Sequence, residues 1–170
     1  MKGSLPTNEG EVKTYRVVYA VHESLPGPTP SKDLENTQGR LIGLITLRSL
    51  GPNDLALPDH IFPASSLTPE CLTMELGYQF LPGAWGKGFA TESINAVFEA
   101  CKKEKNFWEP YEKVFVRAIV NAENPASRRV MAKCGAKELG VHVWNGEGLW
   151  LGGRWRTTDS LHIFGVFVVE

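Results

Sequence analysis

Along the chain the apolar positions switch between a two-residue repeat and a helical one. Residues 14–22 set Tyr15, Val17, Tyr19 and Val21 against Arg16, Val18, Ala20 and His22, which predicts a strand. Residues 40–50 are apolar on both faces, as in an interior strand. A third strand is predicted over residues 72–80, with Leu72, Met74, Leu76, Tyr78 and Phe80 on one face and Glu75, Gly77 and Gln79 on the other. Ala90, Ile94, Val97, Phe98 and Cys101 then follow helical spacing and predict a helix over about residues 89–105. Residues 114–120 are a run of β-formers. Asn124 and Pro125 form an N-cap and first-turn proline for a second helix, with Gly135 as its C′ glycine. Strands over residues 136–143 and 161–169 complete the pattern.

Between these elements lie a tail (residues 1–13), a long hairpin loop with three prolines (23–38), a long connection (51–69) and a Gly- and Trp-rich loop or hairpin (145–156). Hairpins first and helical crossovers later predict a mixed, mostly antiparallel sheet flanked by helices, an α/β or α+β fold. The 170 residues suit a single domain over residues 14–170, with no repeat and no separate linker.

Composition narrows the function. With 42% hydrophobic and 22% charged residues, the chain is globular rather than disordered. A net charge of −1 removes the usual electrostatic basis for nucleic-acid binding. No apolar run is long enough to cross a bilayer, and the first residues lack a signal-peptide core, so no membrane partner is expected. Cys71, Cys101 and Cys134 are scattered and odd in number; with four histidines they form no zinc-like cluster. The expectation is reduced core thiols, no metal and a cytoplasmic protein.

The most informative stretch is LGYQFLPGAWGKGFATE, residues 76–92. Gly83, Gly86 and Gly88 link a buried strand to an amphipathic helix, so main-chain N–H groups can approach a ligand closely. The helix start adds free donors and partial positive charge, which together suit a phosphate or pyrophosphate. Lys87 adds a point charge, and Glu92 weakens the field slightly. A nucleotide-hydrolase loop requires Ser or Thr after the lysine, where Gly88 stands; the dinucleotide fingerprint requires a third glycine, where Thr91 stands. A tight turn without a ligand remains the alternative reading.

GYQFLPGAWGKGFATES resembles the acetyl-CoA-binding motif of the GNAT N-acetyltransferases. NPASRRVMAKCGA, residues 124–136, resembles that superfamily's second block, in the form found among ribosomal-protein N-terminal acetyltransferases. Two blocks in order, with a β-strand between them, carry the likeness over about residues 72–140. The resemblance implies that strands 72–80 and 114–120 splay apart around the pantetheine arm. It implies main-chain contacts to the pyrophosphate from Trp85, Gly86, Lys87, Gly88, Phe89 and Ala90, and an amide near Gly77 and Tyr78 for the acetyl carbonyl. Leu81 is placed by the pantetheine or in the core, and Asn124 caps its helix or contacts the cofactor. Ser127 is implied near the cofactor sulfur as proton donor, where many members use a tyrosine at the position of Met131. Arg128 and Arg129 face the adenosine phosphates or solvent.

The implied reaction is acetyl transfer to an amine by direct attack in a ternary complex, with acetyl-CoA as cosubstrate. The amine must lose a proton first. Glu75 is the first candidate base, directly or through water; pairing with Arg48 or Arg117 is the other reading. Members generally begin with a strand and two helices that wall the acceptor pocket. Here Met1–Lys13 precedes the first strand, so the expectation is a domain truncated at its N-terminus, with exposed sheet surface that favours a homodimer. The acceptor is a protein N-terminus or a small-molecule amine. A catalytically inactive acetyl-CoA- or CoA-binding protein, or an oligomeric interaction module, is the alternative. Trp144, Trp150 and Trp155 are read as covering the sheet, framing the acceptor site or filling a dimer interface.

Overall fold

The computed structural model describes residues 3–4, 14–24, 39–52, 54–151 and 154–170. Seven strands form one sheet: β1 (Gly3–Ser4), β2 (Tyr15–Ser24), β3 (Gly39–Ser49), β4 (Cys71–Phe80), β5 (Lys113–Asn121), β6 (Lys137–Leu151) and β7 (Arg154–Val169). Their spatial order is β1-β2-β3-β4-β5-β7-β6. Every neighbouring pair is antiparallel except β4 and β5, which are parallel. Helix α1 (Phe89–Lys103) makes the crossover between those two, and α2 (Pro125–Lys133) follows β5. This is the mixed, mostly antiparallel α/β fold expected from the order of elements.

Helix α1 buries Ile94, Val97, Phe98 and Cys101, the stripe marked by its helical spacing. These side chains join Ile45, Leu47, Met74, Leu76, Val114, Val116 and Met131 in one core on the helical face of the sheet. Full burial of each large aliphatic side chain contributes about 1.5–3 kcal/mol. On the opposite face Phe62 packs edge-on against Phe115, 6.2 Å between centroids, and Phe115 meets Phe167 at 4.9 Å. Gly165 lies beneath that ring, where a Cβ would collide with Phe115. Among the described residues no helix is long and apolar enough to cross a membrane.

Several boundaries differ from the pattern read along the chain. Helix α1 ends at Lys103 rather than near residue 105, because Lys105–Trp108 turns into a 3-10 helix and buries Trp108. The Trp108 indole donates to the Cys101 carbonyl at 3.0 Å and so satisfies the helix end. Within the segment read as a tail, Gly3 and Ser4 pair with Arg16 and Tyr15. The rest of residues 1–13, and residues 25–38 of the proline-rich loop, lie outside the described residues. The Gly- and Trp-rich segment is mostly strand: β6 and β7 continue as a long hairpin, with a register shift between Asn145 and Leu149 that absorbs Gly146 and Gly148. Large aromatics favour the pleated surface there, and the glycines take the irregularity.

Candidate active site

The sheet is open at its centre. β4 and β5 are in register from Cys71–Lys113 to Glu75–Arg117 and unpaired beyond that point. Each strand keeps its outer partner, β4 pairing with β3 as far as Phe80 and β5 with β7 as far as Asn121. The β3–β4 register is regular, so the splay arises without a bulge on that side. It leaves one main-chain edge of residues 76–80 free for hydrogen bonds to a ligand.

A cavity of about 770 Å³ lies beside the unpaired end of β4. Its floor is β4 at Tyr78, Gln79 and Phe80, and one wall is the glycine turn. Gly86 and Gly88 have φ of +75° and +87°, the left-handed region in which L side chains are strained. A Cβ at either glycine would meet nothing within 4 Å, so backbone conformation rather than crowding requires glycine. Gly88 is the N-cap of α1, and no side chain caps the helix. Gly86, Gly88, Phe89, Ala90 and Thr91 all line the cavity, so the helix's orphan N–H donors and positive dipole end border it. The turn is anchored by Trp85, whose indole donates to the Phe80 carbonyl at 2.8 Å.

The facing wall is α2. Asn124 Oδ1 accepts from the Ser127 N–H at 3.0 Å and Pro125 fills the first turn. At the other end Gly135, φ +77°, lets the Ala136 N–H reach the Met131 carbonyl at 3.1 Å, a Schellman closure. Asn124, Ser127, Arg129 and Lys133 line the cavity from this helix. Tyr78 Oη lies 2.5 Å from Ser127 Oγ, joining the β4 floor to the α2 wall. Burial pushes the Tyr78 phenol above its ordinary value of 10.0, against a smaller opposing effect of the Ser127 hydrogen bond. No Asp or Glu lines the cavity among the described residues.

Of the residues singled out in the sequence, Tyr78, Trp85, Gly86, Gly88, Phe89, Ala90, Asn124 and Ser127 are brought together here. Gly77, Leu81, Lys87, Arg128 and Glu75 do not line the cavity. Leu81 is 56% exposed ahead of the turn. Lys87 Nζ lies 3.9 Å from a Glu23 carboxylate oxygen. Arg128 turns towards Glu138, at 3.6 Å, on the other side of α2. Arg129, named with Arg128 in the sequence, does face the cavity, and Lys133 joins it; the two share a helical stripe with Ala126 and Val130. That spacing is legible in the sequence.

Glu75 is held on the opposite face of the sheet from the core. Its carboxylate accepts from Arg48 at 2.7 Å and from Arg117 at 2.9 Å. Arg48 also binds Asp54, and that hydrogen bond holds the Asp54 carboxyl below its usual range. Met131 is fully buried in the core. The three cysteines are buried, and burial pushes the Cys101 and Cys134 thiols up to about 11. They are core residues rather than nucleophiles. No group of three or more potential metal ligands occurs among the described residues.

The family model of the acetyltransferase (GNAT) domain matches residues 8–137, and the chain belongs to that family. Among solved structures it is similar to the spermidine N-acetyltransferase from Vibrio cholerae in complex with CoA and spermine, at 22% identity and TM-score 0.48, covering 78% of this chain and 62% of that one. It is also similar to the ribosomal-protein-S5-alanine acetyltransferase from Vibrio fischeri, at 18% identity and TM-score 0.48, covering 75% and 54%. A GNAT-family acetyltransferase from Bacillus anthracis gives 22% identity and TM-score 0.46, covering 75% and 59%. The chain thus spans little more than half to three-fifths of the length of these structures. No curated protein matches it.

Proposed function

We propose that the chain transfers an acetyl group from acetyl-CoA to a primary amine, either a protein N-terminus or a small molecule, by direct attack in a ternary complex. The observation that carries this reading is the cavity beside the unpaired end of β4, which joins the uncapped start of α1 to the Tyr78–Ser127 pair. Its donors fit the cosubstrate. Main-chain N–H groups from Gly86 to Thr91 would hold the pyrophosphate, Arg129 and Lys133 would balance its charge, and the free β4 edge would bind the pantetheine amides.

Bound acetyl-CoA supplies an activated acyl group on a thiol leaving group. The protein's part is positioning and proton control. The β4 edge orients the thioester, and its N–H groups stabilise oxyanion charge. Tyr78 and Ser127 hold protons beside the leaving sulfur: the Ser127 hydroxyl donates, and the Tyr78 phenol replenishes it. Both of its neighbours on this face being arginines, Glu75 orders β3, β4 and β5 and is a positioning residue in this reading. The acceptor's proton leaves by a route outside the described cavity, which offers no carboxylate.

That missing carboxylate also favours a second reading, cofactor binding without turnover. Calorimetric titration of the 170-residue chain with acetyl-CoA, followed by CoA release assayed over a panel of amines, separates the two. One site per chain and amine-dependent CoA release are expected. Binding without release would support the second reading, and no binding by folded protein would overturn both.

A further inference from the structure

Among the described residues, one cavity-lining side chain comes from outside β4, the glycine turn, the start of α1 and α2: Trp150. It sits near the end of β6, cross-strand from Trp155. The two indoles meet edge to face, 6.0 Å between centroids and at 84°. Trp150 is nevertheless 61% exposed. Its position is tied to the mouth of the splay. Arg156 on β7 binds Glu123, the residue before the α2 cap, at 2.8 Å. Asp159 accepts from the Asn121 amide at the end of β5. Ala122 N–H donates to the Ser160 carbonyl at 3.0 Å. These bonds hold the hairpin beside the N-terminus of α2.

The wall that Trp150 completes has a definite chemistry. Arg129 and Lys133 make it cationic, and no carboxylate offsets them among the described lining residues. A protonated amine is repelled there. A flat, electron-rich indole lining the same cavity as two cations suits an aromatic base that carries phosphates. We propose that Trp150 is the stacking platform for the adenine base of the cosubstrate, delivered to the cleft by the β6–β7 hairpin. This rests on the acetyl-CoA reading and adds a contact that neither sequence block contains.

The test compares CoA with 4′-phosphopantetheine, which keeps the pantetheine arm and lacks the adenosine. Dissociation constants are measured calorimetrically, by competition where needed, for the unaltered chain, Trp150→Ala and Trp150→Phe. Stacking of one base predicts about a tenfold loss of CoA affinity in Trp150→Ala. The affinity for 4′-phosphopantetheine should be unchanged, and Trp150→Phe should keep most of the CoA affinity. Equal loss on both ligands would place Trp150 on the pantetheine arm or in the fold, and loss on neither would remove it from the site; either result overturns the proposal. Failure of the unaltered chain to bind either ligand would overturn the acetyl-CoA reading, and the platform with it.

Discussion

The Tyr78 phenol and the Ser127 hydroxyl, 2.5 Å apart, connect the β4 floor of the cleft to its α2 wall. In the proposed reaction the pair would stand in for a residue this chain lacks. Met131 stands where many relatives of the second block carry a tyrosine, and it is wholly inside the core. In the proposed transfer the proton donor must therefore come from elsewhere, and Ser127 backed by Tyr78 would supply it. Tyr78→Phe is expected to lower kcat by about 10²-fold with little change in acetyl-CoA affinity. Because burial holds the phenol above 10.0, it stays protonated through neutral and moderately alkaline pH. Any alkaline limb below about pH 10 in the kcat profile should thus survive Tyr78→Phe. Equal kcat in the two proteins, with chemistry rate-limiting, would remove Tyr78 from the proton path.

The glycine turn gives a cleaner separation of binding from folding. Gly86 has open space where a Cβ would go, and its cost on substitution is the positive φ, about 1–3 kcal/mol. Gly86→Asp puts a carboxylate on the wall read as the pyrophosphate site. CoA binding should fall below detection while circular dichroism still reports a folded sheet. Unchanged affinity would argue that the anion lies elsewhere.

Much of this was legible because the relevant signals are local. The period change after Phe80, the clustered glycines and the Asn124-Pro125 pair each specify a backbone conformation over a few residues. Asn124 caps α2, and Gly135 closes it as expected. What escaped was tertiary. Arg128 and Arg129 are adjacent in sequence, yet the rotation of about 100° per helical residue sends the first to Glu138 and the second to the cavity. Trp150 reaches the cleft only because β6 and β7 run on past the ends of β5 and fold back as a hairpin. A hairpin over residues 145–156 is one of the two readings the composition allows, but no local rule reports which wall of a cleft such a hairpin reaches.

Asn124 serves two roles that substitution can divide. Its side chain caps α2 by accepting from Ser127, and it lines the cavity. Asn124→Ala should cost about 1 kcal/mol of stability and weaken CoA binding. Asn124→Ser restores a good cap with a shorter side chain. Stability should recover while affinity stays reduced, as read by urea unfolding and calorimetry on the same samples. Recovery of both would assign Asn124 to capping alone.

Acid should loosen the face opposite the core. The Arg48 hydrogen bond depresses the Asp54 carboxyl below 3.8, so the ionised form is the one the fold prefers. A depressed carboxylate contributes stability in full above its unfolded value, and that contribution is lost as pH falls through the folded one. Stability should therefore decline below about pH 4, and Asp54→Asn should flatten that part of the curve. An identical pH dependence in the variant would show that other carboxylates set the acid limb.

Glu75 lies on the strand that borders the cleft, yet its carboxylate is engaged by Arg48 and Arg117, and Arg117 is only 3% exposed. Removing the carboxylate strands a buried guanidinium, whose remaining hydrogen bond among the described residues is to the Leu55 carbonyl at 3.3 Å. Breaking a buried pair from one side costs about 3–5 kcal/mol, so Glu75→Ala should lower stability by that order. Glu75→Gln keeps hydrogen-bonding capacity and should cost less. A general base would behave differently: Glu75→Gln would then abolish turnover and remove the acid limb of kcat/KM while leaving stability nearly intact. Measuring unfolding and turnover on both variants distinguishes the two roles. The arginine pairing predicts a large effect on stability and a turnover per folded molecule that Glu75→Gln leaves near that of the unaltered chain.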